Sequence, residues 1–85
     1  MENKYYVYVL KCKEDNSIYI GFTRNLAKRL WEHKNKLSKY TRSKNDWELL
    51  WYCVFDNENN AINFEKYLKS HSGRIFIKRR INPAE

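Results

Sequence analysis

The chain reads as a small α+β domain with element order β-β-α-β-α-α, a small mixed sheet with helices packed around it. Three observations predict this. Residues 4–21 hold two Tyr-, Val- and Ile-rich runs, KYYVYVLKC and SIYIG, separated by the polar turn Glu14-Asp15-Asn16. Two later runs, NLAKRLWEHKN and NAINFEKYLKS, repeat apolar residues at helical spacing. Between them WELLWYCVF is an almost unbroken apolar stretch of strand length. Two Gly and one Pro among 85 residues call for short connections, and the length suits a single domain over 1–85.

Lys4 to Cys12 alternates as a strand, with Tyr6, Tyr8 and Leu10 on one face and Tyr5, Val7 and Val9 on the other. Ser17 to Gly21 returns as the second arm of an antiparallel hairpin. Thr23 or Asn25 caps a helix that runs to about Asn35, with Leu26, Leu30 and Leu37 as its buried stripe. Lys39 to Asp46 is a polar, basic loop. Trp47 to Phe55 is apolar nearly throughout, which places it in the sheet centre, buried on both faces. Asn57 to Asn60 turns the chain into a helix from about Asn60 to Ser70. His71-Ser72-Gly73 breaks that helix, and Arg74 to Ile81 forms a short third one.

Lys and Arg outnumber Asp and Glu by 17 to 10, a net charge of +7 with pI near 9.5, so a polyanionic partner is expected. Nucleic acid suits this better than a membrane surface, because no helix joins a wide apolar face to a basic one. No run has the length of a membrane span, and MENKYY lacks the apolar core of a signal peptide. Cys12 and Cys53 form no C-x-x-C pair and are expected as free thiols in a reducing cytosol. Two scattered Cys and two scattered His do not make a structural zinc site. The expected location is cytoplasmic.

Arg29 and His33 lie one helical turn apart and project from the same side, bordering the leucine stripe. The arginine fork can hold a phosphate, and the imidazole can donate a hydrogen bond or move a proton near neutral pH. Taken alone, such a pair is more often an ordinary solvent-facing pair on an amphipathic helix than a site. Glu65 is sharper, because it projects from the middle of the apolar face made by Ala61, Ile62, Phe64 and Leu68. A carboxylate there needs a partner: either a Mg²⁺ ion that keeps several waters, or a salt bridge to Arg29 or a nearby Lys. Tyr6, Tyr8 and Tyr19 suit strands by packing alone, yet a phenol beside a cation can serve as a general base. Gly21 after Tyr19 lets a ligand or another backbone approach closely. Lys28, Lys36, Lys39, Arg42 and Lys44, with Arg74, Lys78, Arg79 and Arg80, are candidate phosphate contacts. Tyr40 and Trp47 can stack on bases or pack at the rim.

On these residues the chain resembles the GIY-YIG nuclease family. Tyr6-Val7-Tyr8 stands at the first motif, with Tyr6 where the family has glycine, and Tyr19-Ile20-Gly21 stands at the second. Arg29 and His33 match the helix arginine and histidine, and Glu65 the metal-binding glutamate. The likeness spans nearly the whole chain. KYTRSKNDWELLWY and FEKYLKSHSGRIFIKRR look like the small stand-alone bacterial members that carry no attached DNA-targeting domain.

The resemblance implies a three-stranded antiparallel sheet flanked by helices and hydrolysis of DNA phosphodiesters with a single Mg²⁺ or Mn²⁺. In that chemistry Tyr8 or Tyr19 activates the attacking water, Arg29 steadies the phosphate and Glu65 holds the metal. His33 assists proton transfer or orients a tyrosine. The leading expectation is a Mg²⁺-dependent DNA endonuclease, in repair or in processing of branched or damaged strands. The alternatives are a nucleic-acid-binding module of the same fold with little turnover, recruited by a protein partner, and an interaction protein using Trp31, Trp47 and Trp51.

Overall fold

The computed structural model describes residues 3–82; the ends of the expected 1–85 domain lie outside the described residues. β1 (Tyr5–Cys12) runs down the centre of a three-stranded sheet, flanked by β2 (Ile18–Thr23) and β3 (Trp47–Phe55), both antiparallel to it. The sheet is therefore wholly antiparallel, not mixed. α1 (Leu26–Lys34) joins β2 to β3, and α2 (Glu58–Lys69) and α3 (His71–Phe76) follow, ending in a π-helical turn, Ile77–Ile81.

The hairpin closes because Asn16 takes the left-handed conformation at φ 63°, which a short polar side chain tolerates. Asp15 Oδ1 braces it by accepting from the Ser17 amide at 3.0 Å and the Ser17 hydroxyl at 2.7 Å.

The central strand is β1, not β3. Val7, Tyr8, Val9 and Leu10 are all within 1% of complete burial, so β1 is covered on both faces. β3 lies at the edge, with Leu49, Tyr52 and Val54 exposed. Its other face is half-buried, and Trp51 and Phe55 meet Phe64 of α2 at ring-centroid distances of 6.2 and 5.6 Å. The apolar run misleads because α1 is only 9 residues long and leaves Tyr52 and Val54 uncovered beside Tyr6. A bulge at Val9/Leu10 sets Trp51 against Val9 and Leu49 against Leu10.

Val7, Val9 and Ile20 on one face pack against Ala61, Leu68 and Ile77, the main core. Each large aliphatic side chain fully buried there contributes about 1.5–3 kcal/mol. On the other face Tyr8 and Leu10 lie buried on the side of His33.

Asn25, rather than Thr23, caps α1: its Oδ1 accepts from the Lys28 amide at 3.0 Å, while Thr23 Oγ1 accepts from the Asn25 amide at 3.1 Å. Leu37 does not extend the stripe. The helix ends at Lys34, Lys36 turns through φ 60°, and Leu37 is 62% exposed. The buried residue of α1 is instead His33.

α2 begins earlier than expected, capped by Asn57 accepting from the Asn60 amide at 3.0 Å. His71-Ser72-Gly73 does not break the chain; it is the first turn of α3. The break is Ser70, extended at ψ 170°, whose hydroxyl accepts from the Gly73 amide at 3.2 Å. Glycine is required at position 73 because a Cβ there would overlap the Tyr67 carbonyl oxygen and Leu68 Cα of α2. That close approach lets α3 fold back sharply against α2.

Candidate active site

Gly21 opens the space for the candidate site. It pairs directly with Tyr8 across β1 and β2, and a Cβ at this position would collide with the Tyr8 phenol. Without a side chain at Gly21, Tyr8 lies over its neighbour strand, fully buried, and reaches α1. Its hydroxyl meets His33 Nε2 at 2.8 Å, and His33 Nδ1 meets Thr41 Oγ1 at 2.7 Å. Thr41 is itself fully buried. The loop holds it in place: its amide donates to the Ser38 carbonyl, and its own carbonyl accepts from the Trp47 indole N–H at 2.9 Å.

Tyr19 lies two residues before Gly21, so the two-residue alternation of β2 puts its ring on the same face as Tyr8. Its ring centroid is 6.2 Å from that of Tyr8 and 5.3 Å from that of His33. Tyr40 stacks on it at 6.3 Å with an interplanar angle of 25°, and Trp47 meets it edge-on. Tyr19 is half-buried where Tyr8 is fully buried, so Tyr19 is the phenol within reach of solvent.

Arg29, one turn before His33, is partly exposed and turns its Nε to Glu32 at 3.1 Å. Glu65 pairs with Lys69 rather than Arg29, at 3.0 Å through Oε2. An exposed i,i+4 pair of this kind is worth less than about 1 kcal/mol and yields readily. Glu65 Oε1 has no partner among the described residues.

The electrostatics tie these groups together. Burial pushes the Tyr8 phenol well above its ordinary range; the Tyr19 phenol adds to this and the Arg29 charge opposes it. Tyr19 is also raised, first by burial, with Lys69 and Arg29 lowering it and Glu65 and Tyr40 raising it. Burial and then Arg29 hold the His33 imidazole below its usual 6.5, so it is neutral at neutral pH. Tyr8, Tyr19, Arg29 and His33 thus share one neighbourhood, and Glu65 acts on the Tyr19 end of it.

Of the two carboxylates near these groups, Glu32 is taken up by Arg29, which leaves Glu65 as the one to meet a cation. No group of three or more His, Cys, Asp or Glu side chains gathers among the described residues. Glu65 with Oε1 uncommitted matches a hard cation that keeps most of its waters and takes further oxygens from substrate phosphate. The residues fit such an ion.

The basic candidates divide by element. Lys28 on α1 and Lys36, Lys39 and Arg42 on the following loop are exposed; Lys44 is half-buried and held by Asp15 at 2.8 Å and Ser17 at 3.0 Å. Arg74, Lys78, Arg79 and Arg80 are exposed on α3 and the π-helical turn, which pack beside α2. Two further residues join the site in the fold, Thr41 on His33 and Glu32 on Arg29. A threonine in a basic loop carries no pattern of its own. Glu32, three residues after Arg29, was visible as an i,i+3 partner.

The family model described as the GIY-YIG catalytic domain matches residues 4–82. The chain belongs to the GIY-YIG family. It is 45% identical over 65 residues to a UPF0213 protein of Clostridium perfringens, covering 75% of this chain and 69% of the relative. It is 40% identical over 70 residues to a UPF0213 protein of Oceanobacillus iheyensis, covering 81% and 80%. The solution NMR structure of a UPF0213 protein from Bacillus halodurans has a TM-score of 0.59 at 30% identity, covering 94% of this chain and 88% of that one. The β-β-α-β-α-α order and antiparallel sheet are accordingly those of a GIY-YIG nuclease-family domain. No helix among the described residues is long and apolar enough to cross a membrane.

Proposed function

We propose that this GIY-YIG domain is a divalent-metal-dependent endonuclease that hydrolyses phosphodiester bonds in DNA, in repair or in processing of branched or damaged strands. The observation that supports the reading is the gathering of two phenols, an imidazole and a guanidinium into one neighbourhood, with the Glu65 charge felt by Tyr19. The +7 charge supplies sequence-independent affinity for the polyanion.

Each residue has a distinct task. Arg29, its Nε held by Glu32, presents its terminal nitrogens to a phosphate, where their charge counts most as negative charge builds on the phosphoryl oxygens. Tyr19 meets the attacking water, because it is the phenol that solvent can reach; burial holds its phenol above the ordinary range, and the Lys69 and Arg29 charges offset part of that rise. Tyr8, buried behind it, supports Tyr19 without touching bulk water. Glu65 is the residue to hold the cation, giving up Lys69 to do so. A bound Mg²⁺ or Mn²⁺ supplies Lewis-acid stabilisation of the leaving oxygen; GIY-YIG nucleases generally use divalent metal ions. Lys28, Lys36, Lys39 and Arg42 contact flanking phosphates.

The test is incubation of the pure protein with single-stranded, duplex and branched DNA, with and without Mg²⁺ or Mn²⁺. Cleavage that needs the metal supports the reading; no cleavage of any substrate removes it. The Lys69 ammonium on Glu65 favours a second reading, a nucleic-acid-binding module of the same fold with little turnover. That reading predicts salt-sensitive DNA binding in the same assay without product.

A further inference from the structure

The buried chain from Thr41 to Tyr8 has a direction. Thr41 Oγ1 is fully enclosed, and its hydrogen-bond partner among the described residues is His33 Nδ1. A hydroxyl must place its proton on an acceptor when buried, or carry a desolvation penalty of about 1–3 kcal/mol. The acceptor within reach is Nδ1. That nitrogen is then the unprotonated one, and the neutral ring carries its proton on Nε2. Nε2 faces Tyr8 Oη at 2.8 Å, so His33 donates to the phenol and does not accept from it. The Tyr8 O–H is consequently released from His33 and free to turn toward the oxygen of Tyr19, whose ring centroid lies 6.2 Å from its own; Arg29 carries donors only and cannot receive that proton.

We infer that Thr41 is a positioning residue that fixes His33 in the Nε2–H form. The result is a one-way series of donors, Thr41 to His33 to Tyr8, ending at the Tyr19 side of the site. Such a series favours negative charge at its open end, because each proton is already aimed that way before charge develops. In the other tautomer, Nδ1–H would face Thr41 and leave the threonine proton without an acceptor, and Tyr8 would spend its own proton on His33. The loop that carries Thr41 also carries Lys36, Lys39 and Arg42, so the residue that sets the imidazole belongs to the basic segment proposed to touch DNA. The tautomer assignment stands on hydrogen-bond geometry alone. Only its consequence for turnover rests on the nuclease reading.

The test is ¹⁵N NMR of the His33 imidazole in the full chain without substrate, in the parent, Thr41→Ser and Thr41→Val. The parent and Thr41→Ser are expected to show an unprotonated Nδ1 and a protonated Nε2. In Thr41→Val, which keeps the shape and removes the hydroxyl, the two nitrogen shifts are expected to move toward each other as the tautomers mix. Where DNA is cleaved, Thr41→Val is expected to lower kcat about tenfold with KM unchanged, and Thr41→Ser to restore it. A proton on Nδ1 in the parent overturns the inference even if Thr41→Val fails to fold, as do unchanged shifts in Thr41→Val. Because the spectrum needs no substrate, a parent with the expected tautomer and no cleavage would count against the nuclease reading alone.

Discussion

Gly21 and Tyr8 form the smallest unit on which the site depends. The glycine is needed for the volume occupied by the facing phenol and not for a turn, since its φ is not positive. Gly21→Ala forces Tyr8 out of its place and away from His33. We expect it to destabilise the fold by about 1–3 kcal/mol in urea unfolding, as over-packing does. A change within about 0.5 kcal/mol, the range of an ordinary surface substitution, would contradict this placement. His33 makes a second prediction, in pH. Its pKa in the folded chain lies below the unfolded value of about 6.5, so the unfolded chain binds the proton first. Stability is therefore flat with respect to this group above about pH 6.5 and declines as pH falls below it, until the folded imidazole also protonates. Thermal melts between about pH 5.5 and 7.5 should show this fall, and His33→Gln should flatten it. A melting temperature that rises on acidification across this window would refute the assignment.

At the level of elements, the order of strands and helices was legible because alternation and helical spacing are local properties of the chain. The neighbourhood of Tyr8, Tyr19, Arg29 and His33 was legible for a related reason: two hairpin strands and the next helix bring them together over only 26 residues. What depends on distant packing was not legible. WELLWYCVF looks central, but the strand in the middle is the one that pairs on both sides, β1, and β3 at the edge leaves Tyr52 exposed. Leu37 looks like a stripe residue, yet the helix has ended before it. Thr41 gains meaning only when the loop folds under His33. Gly73 is the clearest case. In a helix, Ala is preferred to Gly by about 1 kcal/mol, so propensity alone predicts that Gly73→Ala stabilises. Contact with the Tyr67 carbonyl predicts the opposite sign, a loss of about 1–3 kcal/mol by denaturant unfolding. Stabilisation would show that α3 does not fold back as described.

Across the whole molecule, the net charge of +7 is the basis on which we propose phosphate contact as the main source of DNA affinity. Binding to a short duplex should weaken linearly in log Kd against log salt, with a slope of a few units. Arg42→Gln should reduce that slope by about one without changing any sequence preference. Salt-independent binding would point to recognition by the exposed aromatic residues instead. We propose that Glu65 holds the cation for a site whose other members the fold assembles. The most direct measurement of this is single-turnover cleavage of DNA in Mg²⁺ by the parent and by Glu65→Gln, with DNA affinity and melting temperature recorded for both. We predict matched binding and folding, with the cleavage rate of the variant lower by on the order of 10²-fold or more. Equal rates in the two proteins would contradict the account.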